Sequence, residues 1–137
     1  MLFEFDLRTD NENFHNITSE VREAVERSKV KNGICTIYCP HTTAGITINE
    51  AADPDVVRDM LFALDKFFPD MREFRHYEGN STAHIKSSVI GTSENVIIKD
   101  GQLVLGTWQG IYFTEFDGPR HRRFFVNVIN DNDEFKL

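Results

Sequence analysis

At 137 residues, with 40% hydrophobic residues and twelve Phe, three Tyr and one Trp, the chain has the size of one domain with one core and is too apolar to be a disordered polymer. Its formal charge of −7 argues against a surface that tracks nucleic-acid phosphates, yet leaves room for a small anion held by a local cluster of cations. Two cysteines four residues apart on one apolar run, Cys35 and Cys39, would lie roughly 13 Å apart along a strand, beyond the ~7 Å reach of a disulfide, so both are expected as buried thiols.

The opening Leu2, Phe3, Phe5 and Leu7 alternate with charged residues as in an amphipathic strand, and no continuous apolar stretch suits a signal peptide or a membrane span. No membrane and no nucleic acid are expected as partners, and the cytoplasm is the expected location. A polar turn follows through Asp10, Asn11, Glu12 and Asn13. Thr18 fits the N-cap of a helix with Val21, Ala24 and Val25 on one face, and Gly33 fits its stop. Ile34 to Cys39 and Gly45 to Asn49 read as strands. Asp53-Pro54 has an N-cap residue before a proline at the first helical position, and Val56, Val57, Met60, Leu61 and Leu64 repeat at helical spacing up to Phe67-Phe68-Pro69. Beyond a polar segment the expected strands are Ile85 to Ile90, Val96 to Lys99, Leu103 to Leu105, Gly110 to Phe116 and Arg123 to Ile129, with Asp100-Gly101 as a hairpin turn. Asn130 to Glu134 reads as a frayed acidic tail. Residues 1–137 are thus expected to form a single compact α+β domain with mixed or antiparallel sheets and two main helices.

Three polar knots at strand ends look like parts of one pocket: Pro40 to Gly45, His76 to His84, and Glu115 to Arg120. His41, His76 and His84 stand among other polar groups, whereas His15 and His121 read as surface residues. Glu115 shares strand parity with Ile111 and Phe113 and so points inward, which is costly unless it is paired or bound to a cation. Glu50 has no evident capping or pairing role, whereas Asp53 is explained by its cap. Arg120 offers a planar fork of donors for a phosphate or carboxylate, and Thr42, Thr43, Asn80, Ser81 and Thr82 add hydroxyl and amide groups. Two imidazoles separated by seven residues, His76 and His84, match no compact zinc motif.

The runs Pro40-His41-Thr42-Thr43-Ala44-Gly45-Ile46-Thr47-Ile48-Asn49-Glu50, Asp53-Pro54-Asp55, His76 to His84 with Lys86 and Ser87, Gly106-Thr107-Trp108-Gln109-Gly110-Ile111 and Glu115-Phe116-Asp117-Gly118-Pro119-Arg120 closely resemble the YjbQ family, known as secondary thiamine-phosphate synthases. The resemblance covers nearly the whole chain in order. It implies a compact α+β domain assembled as a homotrimer, with polar pockets near subunit contacts. It also implies the coupling of a hydroxymethylpyrimidine diphosphate to a thiazole phosphate with release of pyrophosphate. By position, His41, Glu50, His76, Asn80, His84, Gln109, Glu115, Asp117 and Arg120 stand where the family's polar motif residues stand, while His121 to Arg123 has no evident place on that pattern. The expected roles are catalysis for His41, His84, Glu50 and Arg120, phosphate binding for Thr42, Thr43, Asn80, Gln109 and Arg120, and a divalent metal, Mg2+ or Zn2+, on His76, His84, Glu115 and Asp117. The same inventory admits two other readings: a non-catalytic trimeric binding module for a phosphorylated metabolite, and a zinc-dependent hydrolase built on His41, His76 and His84.

Overall fold

A computed structural model describes residues 1–131. It contains eight strands and three helices in the order β1 (Leu2–Arg8), β2 (Asn13–Asn16), α1 (Thr18–Ser28), β3 (Gly33–Tyr38), β4 (Ala44–Glu50), α2 (Pro54–Phe67), α3 (Ser81–Ile90), β5 (Ser93–Lys99), β6 (Gln102–Leu103), β7 (Gln109–Glu115) and β8 (His121–Asn130). The strands form a five-stranded sheet, β1-β8-β3-β5-β6, and a three-stranded sheet, β2-β7-β4, and every pairing is antiparallel. The α+β class stands, with three helices where two were expected. No helix among the described residues is long and apolar enough to cross a membrane.

The alternating period of β7 divides the core into two compartments. Ile111 and Phe113 point toward the larger sheet and join Phe3, Ile37, Ile46, Phe124 and Val126, with Val21 and Val25 of α1 closing the side. Tyr112 and Phe116 point the other way, onto Phe14 and Ala83, with Val57, Met60, Leu61 and Leu64 of α2 packed against them. Helix α2 begins as its sequence dictates: Asp53 accepts a 2.9 Å hydrogen bond from the Asp55 backbone N–H, with Pro54 at the first position. The Asp100-Gly101 turn has φ of 53° and 76°, the positive pair that a two-residue hairpin requires.

Four local expectations change. Ile85–Ile90 is not a strand but the body of α3, whose buried face is Ala83, Lys86 and Ser87. Asn13–Asn16 pairs with β7 rather than turning. Thr18 is the first helical residue of α1, preceded by Ile17. Its hydroxyl donates to Asn16 Oδ1 at 2.6 Å and accepts from the Ile111 N–H at 2.8 Å, so it braces the helix to β7 instead of capping it. The helix ends at Ser28, where Lys29 takes the left-handed conformation, and Gly33 opens β3. Of the expected acidic tail, Asn130 closes β8, and 132–134 lie outside the described residues.

Helix α3 matters for function because it carries His84, and β4 fixes where it lies. Ser87 Oγ donates to the Ala44 carbonyl at 2.6 Å, and the Ile46 N–H donates to the Gly91 carbonyl at 3.0 Å. Gly45 makes this approach possible: a Cβ there would stand 2.5 Å from Gly91 O and 3.0 Å from Thr114 Oγ1. Gly45→Ala is therefore expected to destabilise the fold by about 1–3 kcal/mol, the usual cost of overpacking, measured by urea unfolding. An unchanged unfolding midpoint would show that β4 and α3 can part without loss.

Candidate functional site

The β3–β4 connection, the α2–α3 loop and the β7–β8 connection meet at one end of the two-sheet stack. They enclose an open cleft of about 390 Å3 lined by His41, Thr42 and Thr43 from the first, His76, Glu78, Asn80 and His84 from the second and from α3, and Asp117, Arg120 and Arg122 from the third. The three polar knots of the sequence do converge. The His76 and His84 rings stand edge to face with centroids 5.2 Å apart, and His76 Nε2 is 3.9 Å from Glu78.

Beneath the cleft lies a buried ion pair. Glu115 has no exposed surface and Arg122 is 6% exposed. Arg122 grips the carboxylate with Nε at 2.7 Å and Nη2 at 2.5 Å, and Nη2 also donates to Thr43 Oγ1 at 2.8 Å. Glu115 further accepts from the Thr9 hydroxyl at 2.5 Å and from the Asp117 N–H at 2.9 Å. Burial works to raise the Glu115 pKa, but the hydrogen bonds from Arg122, Thr9 and Asp117, with the charge of Arg122, outweigh it and hold the carboxyl below its ordinary value. A guanidinium has five N–H donors, and here Nε and Nη2 are committed while Nη1 has no partner among the described residues.

At the rim the couplings are looser. Arg120 donates from Nε to the Asp117 carbonyl at 2.7 Å and from Nη2 to Asp117 Oδ2 at 2.9 Å, which fixes an exposed guanidinium over the cleft. Asp117 Oδ2 also accepts from Asn80 Nδ2 at 2.8 Å. Because a carboxylate only accepts, this contact sets the amide's orientation and leaves Asn80 Oδ1, a buried atom, without a donor among the described residues. His41 packs its ring edge to face on Phe113, and its Nε2 lies 3.1 Å from both the N and O of the Arg123 backbone. Burial, with the positive charge of Arg122, lowers the His41 pKa, so it is a neutral imidazole at neutral pH.

Several expected site residues lie elsewhere. Glu50 and Gln109 pair with each other at the far end of the β4–β7 ladder, whereas Ala44 and Glu115 pair at the cleft end, so roughly 20 Å of strand separates them from the cleft. Gln109 Oε1 accepts from the Gly106 N–H at 2.7 Å, and the Glu50 carbonyl accepts from the Tyr112 hydroxyl at 3.0 Å. Within one protomer neither Glu50 nor Gln109 can act on a group held at the cleft. Thr43 lines the cleft but its hydroxyl serves Arg122, which makes it a positioning residue. Glu115, expected as a metal ligand, has its carboxylate filled by donors, and no three His, Cys, Asp or Glu side chains gather at metal-binding geometry among the described residues. The four-residue metal set therefore does not fit, and no chemistry is derived through it.

Arg122 is the residue that sequence reading missed. Its parity with Phe124, Val126 and Val128 on β8 was the available signal, the same one that turned Glu115 inward. Of the other two histidines, His121 is exposed, 3.5 Å from Asp6, while His15 is half-buried with Nε2 unpartnered among the described residues. The free thiols of Cys35 and Cys39 are buried as expected, and burial pushes both up to about 11.

A two-sheet α+β domain with a polar cleft over a buried Arg–Glu pair is the class of protein this geometry defines. The family profile described as UPF0047 protein YjbQ-like matches residues 3–131, and the chain belongs to that family. It is 54% identical to a UPF0047 protein of Methanocaldococcus jannaschii over 132 residues, 96% of each chain. Among solved structures, an uncharacterized conserved YjbQ/UPF0047 protein from Clostridium acetobutylicum is 58% identical with a TM-score of 0.91, covering 93% of this chain and 99% of that one. A YbjQ-like protein of unknown function from Sulfolobus solfataricus is 32% identical with a TM-score of 0.91, covering 96% and 97%. These relatives correct the functional expectation. They are named by family, as uncharacterized, or as of unknown function, and none is named a thiamine-phosphate synthase or a zinc hydrolase, so neither activity is assigned to this chain.

Proposed function

We propose that the cleft binds a small oxyanion, a phosphoryl group foremost, between Arg122 beneath it and Arg120 at its rim. The observation that carries this reading is the tethered Arg122 guanidinium: it lines the cleft, its position is set by Glu115 and Thr43, and its Nη1 hydrogens lack a protein partner among the described residues. A planar fork held rigidly in a recess loses little freedom when it binds an oxyanion. Arg120 adds a second fork, and Thr42, His76 and His84 add polar groups on the other walls.

Glu115 and Asp117 balance the two arginines, so an incoming dianion is not drawn by net positive charge. It would instead be selected by the donor geometry of the two guanidiniums. Titration with inorganic phosphate, followed by amide chemical shifts, tests the site directly. Arg120→Gln should weaken binding about three- to tenfold, the range for an exposed charge-assisted contact. Shifts confined to another surface, or unchanged affinity in that variant, would remove the assignment.

Self-association as a homotrimer is part of the same proposal. Ile129, Ile34 and Ile97 fall in one row across three adjacent strands of the larger sheet and are 52%, 36% and 61% exposed, an apolar row suited to contact with further copies of the chain. Light scattering is expected to give three times the chain mass, and a monomer at micromolar concentration would refute it.

A further inference from the structure

The cleft does not end at the charged groups. A second recess of about 620 Å3 adjoins it at His41 and His84, and the two share Pro40, His41, Thr42 and His84 among their lining residues. Their chemistry differs. The first recess contains Glu78, Asp117, Arg120 and Arg122, whereas among the described residues no Asp, Glu, Lys or Arg lines the second. There the polar groups are hydroxyls: Tyr38, Thr42, Ser88 and Thr92 line it, and none of these four hydroxyls makes a hydrogen bond within the protein among the described residues, whereas Ser87 Oγ is committed to the Ala44 carbonyl.

From this we infer that the natural ligand is a phosphorylated polyhydroxy compound of sugar-phosphate type. Its phosphoryl group lies in the charged recess and its uncharged hydroxylated part in the neighbouring one, with the ester linkage passing between His41 and His84. The inference rests on the oxyanion reading and deepens it. Each hydroxyl of such a ligand is both donor and acceptor, and so complements side-chain hydroxyls that are likewise both. A charged second half would meet no counter-charge there and would lose hydration without compensation.

The volumes agree with this division: the second recess, larger than the first, leaves room for the bulk of the ligand outside the phosphate site.

The test is calorimetric titration of the full chain with inorganic phosphate, ribose 5-phosphate and ribose, and of Ser88→Trp with the first two. Ser88 is exposed on α3, so the indole enters the second recess without entering the core. The expected result is that ribose 5-phosphate binds at least about tenfold more tightly than phosphate, that ribose alone binds far more weakly than its phosphate, and that Ser88→Trp abolishes the tenfold advantage. Phosphate and ribose 5-phosphate of equal affinity would overturn the inference and leave the oxyanion site standing. An advantage that survives Ser88→Trp would overturn the assignment of the second recess. Absence of binding by both phosphate and ribose 5-phosphate would overturn the oxyanion reading together with this one.

Discussion

Replacing Glu115 with Gln is expected to cost the fold about 3–5 kcal/mol, the penalty for leaving a buried guanidinium without its counter-charge. Both partners are almost wholly buried, and among the described residues Arg122 pairs with no second carboxylate. The cost should fall substantially in the double variant Glu115→Leu with Arg122→Met, because well-packed apolar residues often replace a buried ion pair without loss. Urea unfolding of the wild type, the single variant and the double variant separates the two effects. A double variant as unstable as the single one would mean that the pair is not the source of the loss. The pH dependence follows from the depressed carboxyl. The unfolded Glu115 takes up a proton near its ordinary 4.5 and the folded one only at a lower pH, so the pair's contribution is complete above 4.5 and is lost as pH falls through the folded value. The double variant also addresses function, since a folded chain without the Arg122 guanidinium should lose at least about tenfold in phosphate affinity.

How far these groups could be foreseen depended on whether the signal was local. Asp53-Pro54 and Asp100-Gly101 state their structures within two residues, one by a side-chain acceptor at a helix start and the other by a positive φ pair. Glu115 was readable as buried because β7 alternates cleanly around it. Arg122 obeys the same alternation, but its neighbours Arg120 and Arg123 gave the stretch the look of a charged surface. Helix α3 was misread because its buried face contains Lys86 and Ser87. With polar residues on the inner face the helical period of apolar residues vanishes, and Ile85, Val89 and Ile90 then read as a strand. The buried lysine is tolerated only because two carboxylates from distant segments meet it, which no window of sequence displays.

The separation of Glu50 and Gln109 from the cleft has a different origin. Gln109 and Glu115 stand at opposite ends of one strand, so the two could not face the same small ligand within a protomer whatever the register. Antiparallel pairing of β4 with β7 then places Glu50 beside Gln109 rather than beside Glu115. Family motifs that look contiguous along the chain are thus divided by the geometry into a cleft group and a far-end group. The cleft group alone contains the tethered guanidinium and the paired histidine rings.

At Lys86 the larger effect is expected from removing its partners rather than the lysine. Its side chain is 4% exposed and its ammonium meets Glu12 at 2.6 Å and Asp65, joining α3 to the β1–β2 turn and to α2, with the Phe116 ring 6.0 Å away. Burial works to lower the lysine's pKa, but hydrogen bonds and charge from Asp65 and Glu12 outweigh it and raise the pKa above the ordinary 10.5. The stabilisation is therefore complete below 10.5 and is lost only as pH climbs through the folded value. Lys86→Met leaves two carboxylates that water can reach, since Glu12 and Asp65 are 27% and 64% exposed, and should cost about 1–3 kcal/mol. Glu12→Gln with Asp65→Asn leaves a buried ammonium with no counter-charge and should cost about 3–5 kcal/mol. Asp65→Asn alone, at the more exposed partner, should stay below about 1 kcal/mol. Chemical unfolding of the three variants near neutral pH measures this order. Lys86→Met proving more harmful than the double acid variant would show that the lysine's stem packing, not its charge, holds α3 against α2. Because α3 carries His84 in the wall of the cleft, the less stable variants should also broaden the His84 resonances before the fold is lost.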